Sequence, residues 1–240
     1  MRKLISLGVL AACGGGGGGA GSTDVKPTMT IANRTDTEIS QLISAAGGAA
    51  MFSAESQVAI FSPPRTDPCP TTTISGNTVT ITGGCTTQDG VTIAGSAIIE
   101  NPQAWDPIQY NYNSPTIYSY TQLAITQSSF STTYDGFMKV EGATYDSDIT
   151  TTSTVPGVAT MRADLYYSCN LSNNTCSLSG SGIEMAGDGV LASGSLALQG
   201  QTAVAKYTLR GTDTLDATIT SGCVSWKIEG TTRQSPTQCP

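Results

Sequence analysis

Thr71-Thr72-Thr73-Ile74-Ser75-Gly76-Asn77-Thr78-Val79-Thr80-Ile81-Thr82 decides the fold class of this 240-residue chain. β-Branched residues dominate both halves, and Thr78 to Thr82 alternates with period two. Gly76-Asn77 between the halves supplies turn chemistry. A hairpin turning there sets opposite each other residues whose numbers sum to about 153. Cys69 and Cys85 flank the run and their numbers sum to 154, so the same hairpin brings two cysteines together.

The alternation recurs downstream in Val91-Thr92-Ile93 and Tyr118-Ser119-Tyr120-Thr121. Further strands are expected at Met161 to Tyr167, Val190 to Leu198, Ala203 to Leu209, Ala217 to Thr220 and Val224 to Ile228. Asp89-Gly90, Asp135-Gly136 and Asp188-Gly189 suit tight hairpin turns. About ten strands at spacings of roughly 8–12 residues, with no room for crossover helices, predict a mainly β fold. The expected form is an antiparallel meander, a curled sheet or an open barrel. Asp89-Gly90-Val91-Thr92-Ile93-Ala94-Gly95-Ser96 echoes Asp188-Gly189-Val190-Leu191-Ala192-Ser193-Gly194-Ser195, and Asp135 to Gly142 is a looser third copy. Each copy reads as a turn, then a strand whose glycine sits where a neighbour or bend crowds it.

Upstream, Met29 to Asn33 is read as a short strand. Thr35-Asp36-Thr37-Glu38 is a capping box, and Ile39, Leu42, Ile43, Ala46 and Ala50 follow at helical spacing. One helix is therefore expected near residues 36–57, packed on the sheet and weakened at Gly47-Gly48. Pro63-Pro64 and Pro68 end anything helical.

The chain begins with Arg2 and Lys3, then an apolar stretch from Leu4 to Ala12, too short to span a bilayer as a helix. It closes with Leu10-Ala11-Ala12-Cys13, which resembles the lipobox of bacterial lipoproteins. That resemblance implies that residues 1–12 are a cleaved signal peptide and that Cys13 carries the acyl chains. Residues 13–28 then form a lipidated cysteine with a Gly-rich tether, and residues 29–240 form a single disulfide-stapled domain. Gly14 is not the aspartate that retains such proteins at the inner membrane, so the resemblance favours a lipid-anchored place at the outer membrane. Two or three acyl chains anchor stably. Without Arg2 and Lys3 the chain keeps nine basic against 18 acidic side chains, a net charge of −9. Lipid rather than charge would hold it to an anionic bilayer.

Six further cysteines, Cys69, Cys85, Cys169, Cys176, Cys223 and Cys239, read as disulfides in an exported chain. Fifteen connectivities are open, and spacing favours nearest neighbours: Cys69 with Cys85, Cys169 with Cys176, Cys223 with Cys239. The spacings are not those of a zinc site, so no metal is expected.

There is no histidine, and charged residues are 12% of the chain. The acidic balance excludes a basic nucleic-acid interface. Without histidine, a nucleophile would need Lys139, Lys206 or Lys227, or a carboxylate, as its base, Lys26 lying in the tether region. A carboxylate pair could be drawn from Glu100, Asp106, Asp135, Glu141, Glu184 and Glu229, but no spacing pairs them. No catalytic residue, cofactor or metal is assigned. Asp146-Ser147-Asp148 and Asp213 to Asp216 are read as turns.

Trp105, Tyr110, Tyr112, Tyr118 and Tyr120 crowd into sixteen residues, interleaved with Asn101, Gln103, Asn111 and Asn113. Flat rings beside amides suit a sugar or a protein partner, and the competing interpretation is that they pack the core. The expectation is a non-enzymatic envelope interaction or binding protein, its partner an envelope protein, glycan or lipid. The alternative is a carrier of lipid or another apolar ligand inside a curved sheet. That carrier would have an interior lined by Ile81, Ile93, Ile98, Leu123, Leu196 and Leu209, with room left over.

Overall fold

The computed structural model describes residues 24–48, 68–101, 112–154, 159–170, 172–199, 202–220 and 223–235. Among the described residues one α-helix, α1 (Asp36–Gly48), precedes thirteen strands. The first four are β1 (Thr71–Ser75), β2 (Thr78–Thr82), β3 (Cys85–Thr86) and β4 (Val91–Glu100). Then come β5 (Tyr112–Gln127), β6 (Phe130–Gly142), β7 (Thr144–Thr154), β8 (Met161–Asn170) and β9 (Thr175–Met185). The last four are β10 (Asp188–Gln199), β11 (Thr202–Arg210), β12 (Thr214–Thr220) and β13 (Cys223–Ile228). They form one antiparallel sheet in chain order, except that β3 pairs with β4 beside β2. Among the described residues the sheet does not close, because β1 and β13 end it without pairing with each other.

The founding hairpin forms in the expected register, with Thr71 opposite Thr82 and Ser75 opposite Thr78 across Gly76-Asn77. From there a single lateral row runs the width of the sheet: Val79, Ile99, Tyr118, Met138, Ser147 and Tyr167 are successive cross-strand partners. The row continues through Leu178, Gly194, Tyr207 and Ala217 to Trp226. From Ile99 onward every side chain in it is buried. One face of the sheet is thus the inner face throughout, and pleating sends the alternate residues outward.

That face is concave. Tyr167 on β8 and Tyr207 on β11 would stand about 14 Å apart in a flat sheet, yet the hydroxyl of Tyr207 approaches that of Tyr167. Gly194 lies between them in the row, and its missing side chain is the space into which Tyr207 leans, a Cβ there falling 2.6 Å from the ring. α1 fills the hollow against β8, β9 and β11. Its apolar stripe of Ile39, Leu42, Ile43 and Ala46 is 0–1% exposed.

The capping box starts the helix as read: the Thr35 N–H donates to Glu38 Oε2 at 2.8 Å, and the Glu38 N–H donates to Thr35 Oγ1 at 3.2 Å. The remainder of the expected helical span, from Ala49 to Gln57, lies outside the described residues. Met29 to Asn33 is not a strand. Residues 24–30 belong to neither helix nor strand, and Ile31–Asn33 is a turn of 3-10 helix whose Ile31 and Ala32 N–H groups donate to the Asp213 carboxylate at 2.7 and 2.8 Å. This arm is fastened across the ends of β10 and β12, with the Met29 N–H donating to the Gly189 carbonyl and the Thr212 N–H to that of Met29.

Two expected turns fall inside strands. Asp135-Gly136 is in mid-β6 and Asp146-Ser147-Asp148 in mid-β7, where Ser147 is an inner-row residue. Asp188-Gly189 opens β10, the turn being Ala186-Gly187, both at positive φ. Asp213 does sit in a turn, whereas Thr214 to Asp216 begin β12. Strands β7 and β9 escape the expected set of about ten, and β6 is expected only in its second half, because Thr, Ser and Asp fill much of their length and tyrosine, methionine and serine hold inner positions.

Candidate functional site

The aromatic segment does not form an outer face where it can be seen. Tyr118 and Tyr120 are 3% and 5% exposed on the inner side of β5. Trp105 and Tyr110 lie outside the described residues, as does the side chain of Tyr112. Tyr120 joins Tyr118, Tyr134 and Tyr145 in an interior group, and burial holds its phenol protonated far above the ordinary range. Tyr118 and Tyr120 therefore play the packing role that competed with a binding one.

Nor does the described interior offer a wall with room beside it. Ile81, Ile93, Leu123 and Leu209 are 0–3% exposed, whereas side chains facing a ligand-sized empty space would keep accessible surface. Ile98 is on the outer face at 40% exposure and Leu196 is half-buried, so neither completes the expected lining. Among the described residues one buried side-chain atom is unsatisfied. Ser147 Oγ, wholly buried between Met138 and Tyr167, has no partner at hydrogen-bonding distance among the described residues; its nearness to the Tyr145 hydroxyl offsets part of the rise that burial imposes on that phenol.

The carboxylates remain dispersed. Glu184 pairs with Arg162 at 3.1 Å, Glu141 pairs with Lys139, and Asp135 accepts from Gln122 Nε2 at 2.6 Å. Glu100 and Glu229 stand exposed, and Asp106 lies outside the described residues. Asp148 and Asp164 are near enough for burial and then mutual repulsion to raise the Asp148 pKa. Among the described residues no three His, Cys, Asp or Glu side chains gather to hold a metal.

What the fold leaves accessible is an edge. β1 pairs only with β2, so the other side of Thr71 to Ser75 has no strand beside it among the described residues. Thr73, Ile74 and Ser75 are exposed, Ile74 by 66% although it continues the inner row. Proteins usually blunt such an edge with charge, proline or a bulge. Thr71 through Thr82 contains none of the charged residues or prolines, and its register has no shift. The hairpin is also stiffened, since Cys69 and Cys85 are disulfide-bonded beyond its open end. The hairpin and its cysteines are legible in the sequence, but the edge role depends on strand order, which no local pattern carries.

The opposite edge is closed by the chain itself. Beyond β13, Lys227 bridges Gln234, the Ile228 N–H donates to the Arg233 carbonyl, and the Ser235 N–H donates to the Trp226 carbonyl. Arg233 pins this tail: it donates to the Ala32 carbonyl at 2.6 Å, reaches Asp36 at 2.7 Å and lies over the Trp226 ring. Cys169 and Cys176 are bonded across β8 and β9 as expected. Cys223 is disulfide-bonded too, while its expected partner Cys239 and the lipobox Cys13 lie outside the described residues. No helix among the described residues is long and apolar enough to cross a membrane. No protein-family model, curated protein or solved structure matches the chain.

Proposed function

We propose that this chain is an exported, lipid-anchored binding protein of the cell envelope that works without catalysis, by presenting the β1–β2 hairpin edge to a protein partner. The observation that carries the proposal is an unblunted edge strand on a disulfide-braced hairpin. A free row of backbone N–H and C=O groups is a template for an added strand, and a rigid edge loses little entropy when one is added. The lipobox would supply the anchor at Cys13, and the Gly-rich tether would let the domain search the space above the membrane.

The test is a photo-crosslinking side chain placed at Thr73 in intact cells, compared with one at Lys206, which is exposed on the far part of the sheet. The proposal expects a discrete protein adduct from Thr73 and none from Lys206. Equal yields, or no adduct from Thr73, would overturn it.

The carrier keeps one supporting observation, the buried unsatisfied Ser147 Oγ. Such an atom is accounted for by a bound water or by a polar group of a guest. It is the weaker proposal, because the side chains around it are sealed.

A further inference from the structure

We infer that the strand received by the β1 edge is β1 of a second copy, so that two chains join antiparallel into one continuous sheet about a two-fold axis. The inference rests on the edge being the binding site and adds the identity of the partner.

Closure favours self-pairing. A sheet with two open edges adds copies head to tail without limit, whereas self-pairing at one edge must be isologous and stops at two. Among the described residues this sheet has one open edge, the five-residue β1, and at the other end its own tail is folded along Trp226 to Ile228. Sealing one edge and leaving the other bare is the arrangement that lets self-pairing end in a dimer.

Charge favours the same pairing. Two copies bring identical net charge, −7 for the whole sequence, and would repel wherever acidic surfaces met. The edge hairpin is uncharged from Thr71 through Thr82, so a copy can approach there without a like-charge penalty. Antiparallel pairing centred on Thr73 overlaps all five residues of the strand. It sets Ile74 opposite Thr72 of the other copy and diagonal to the other Ile74, within reach on the shared inner face. The 66% exposed Ile74 is covered in this way.

Five residues a side make a small interface, but anchored copies are confined to a surface, which raises their effective concentration. Antiparallel pairing points the two N-terminal arms in opposite directions. The ten-residue stretch from Gly14 to Thr23 can extend to roughly 35 Å, enough for both copies to reach one membrane.

The test uses the full chain, carrying its own export segment, co-expressed in two tagged forms and extracted from membranes in detergent. Wild-type copies should co-purify. Two Thr73→Lys copies, or two Thr73→Glu copies, face like charges across the two-fold axis, and co-purification should fall about tenfold. Thr73→Lys with Thr73→Glu should restore it. Intact mass with the Cys69–Cys85 bond retained certifies folding, and exposed Thr73 tolerates both changes. The inference is overturned if wild-type copies do not co-purify, if like-charged pairs co-purify undiminished, or if the oppositely charged pair does not recover. A Thr73 crosslink to a different protein would overturn this inference and leave the docking edge standing. Absence of any crosslink would remove both.

Discussion

Gly194 and Tyr207 are cross-strand partners, and the tyrosine ring occupies the space the glycine leaves. A Cβ at Gly194 would fall 2.6 Å from the ring and 2.3 Å from the Lys206 carbonyl. Because Tyr207 leans that way its hydroxyl meets Tyr167, and Tyr167 in turn donates a hydrogen bond to the Ala46 carbonyl near the end of α1. Curl, ring and helix are thus one assembly. Gly194→Ala is expected to destabilise the fold by about 2–3 kcal/mol through overpacking, read from urea unfolding. A neutral result would mean that the ring has other room.

Tyr167→Phe tests the other end of that chain of contacts. Removing the hydroxyl leaves the Ala46 carbonyl without its donor in a buried setting, a loss of about 1–3 kcal/mol. Urea unfolding of the variant should show the loss with an unchanged slope, since the same surface is still exposed on unfolding.

Two carboxylates predict opposite responses to pH. The Thr35 N–H and hydroxyl hold Glu38 below the usual range. Its stabilisation is therefore present above the unfolded pKa near 4.3 and lost as pH falls through the lower folded value. Glu38→Gln should cost stability at neutral pH and converge with wild type in acid. Asp148 is raised, by burial first and Asp164 second. The cost of its charged form builds as pH rises from the unfolded pKa through the raised folded one, so Asp148→Asn should stabilise at neutral pH by less than ~1 kcal/mol. That gain should vanish below about pH 4.

Replacing Cys69 and Cys85 by alanine should cost about 3 kcal/mol, the value for closing a loop of that length. It should also weaken the Thr73 crosslink, because the edge is no longer held stiff. Unaltered crosslinking would show that preorganisation of the hairpin plays no part.

The meander was legible because Thr78 to Thr82 alternates cleanly and Gly76-Asn77 turns where it should. The disulfides of that hairpin and of the Cys169–Cys176 turn follow from register, so short spacing found both. Asp135-Gly136 misled because a glycine at φ +125 inside a strand, with the Asp148 carbonyl 2.1 Å from where a Cβ would stand, looks the same in sequence as one in a turn. The Gly194 crowding was readable from its echo in Gly95, which sits at a register shift with Gln122 pressed against it. Tyr118-Ser119-Tyr120-Thr121 was legible as a strand, but alternation alone cannot tell an inner face from an outer one when tyrosine does the work of leucine. The edge at β1 was hidden for a different reason: being first in the sheet is a property of all thirteen strands together.

The central claim is that binding takes place at the surface and edge of a filled β domain. Native mass spectrometry of the mature chain, set beside its denatured mass, tests that most directly. The account predicts one- and two-chain species without a small-molecule adduct. A stoichiometric adduct in the lipid mass range, lost on denaturation, would contradict it and place the binding site beside Ser147 in the interior.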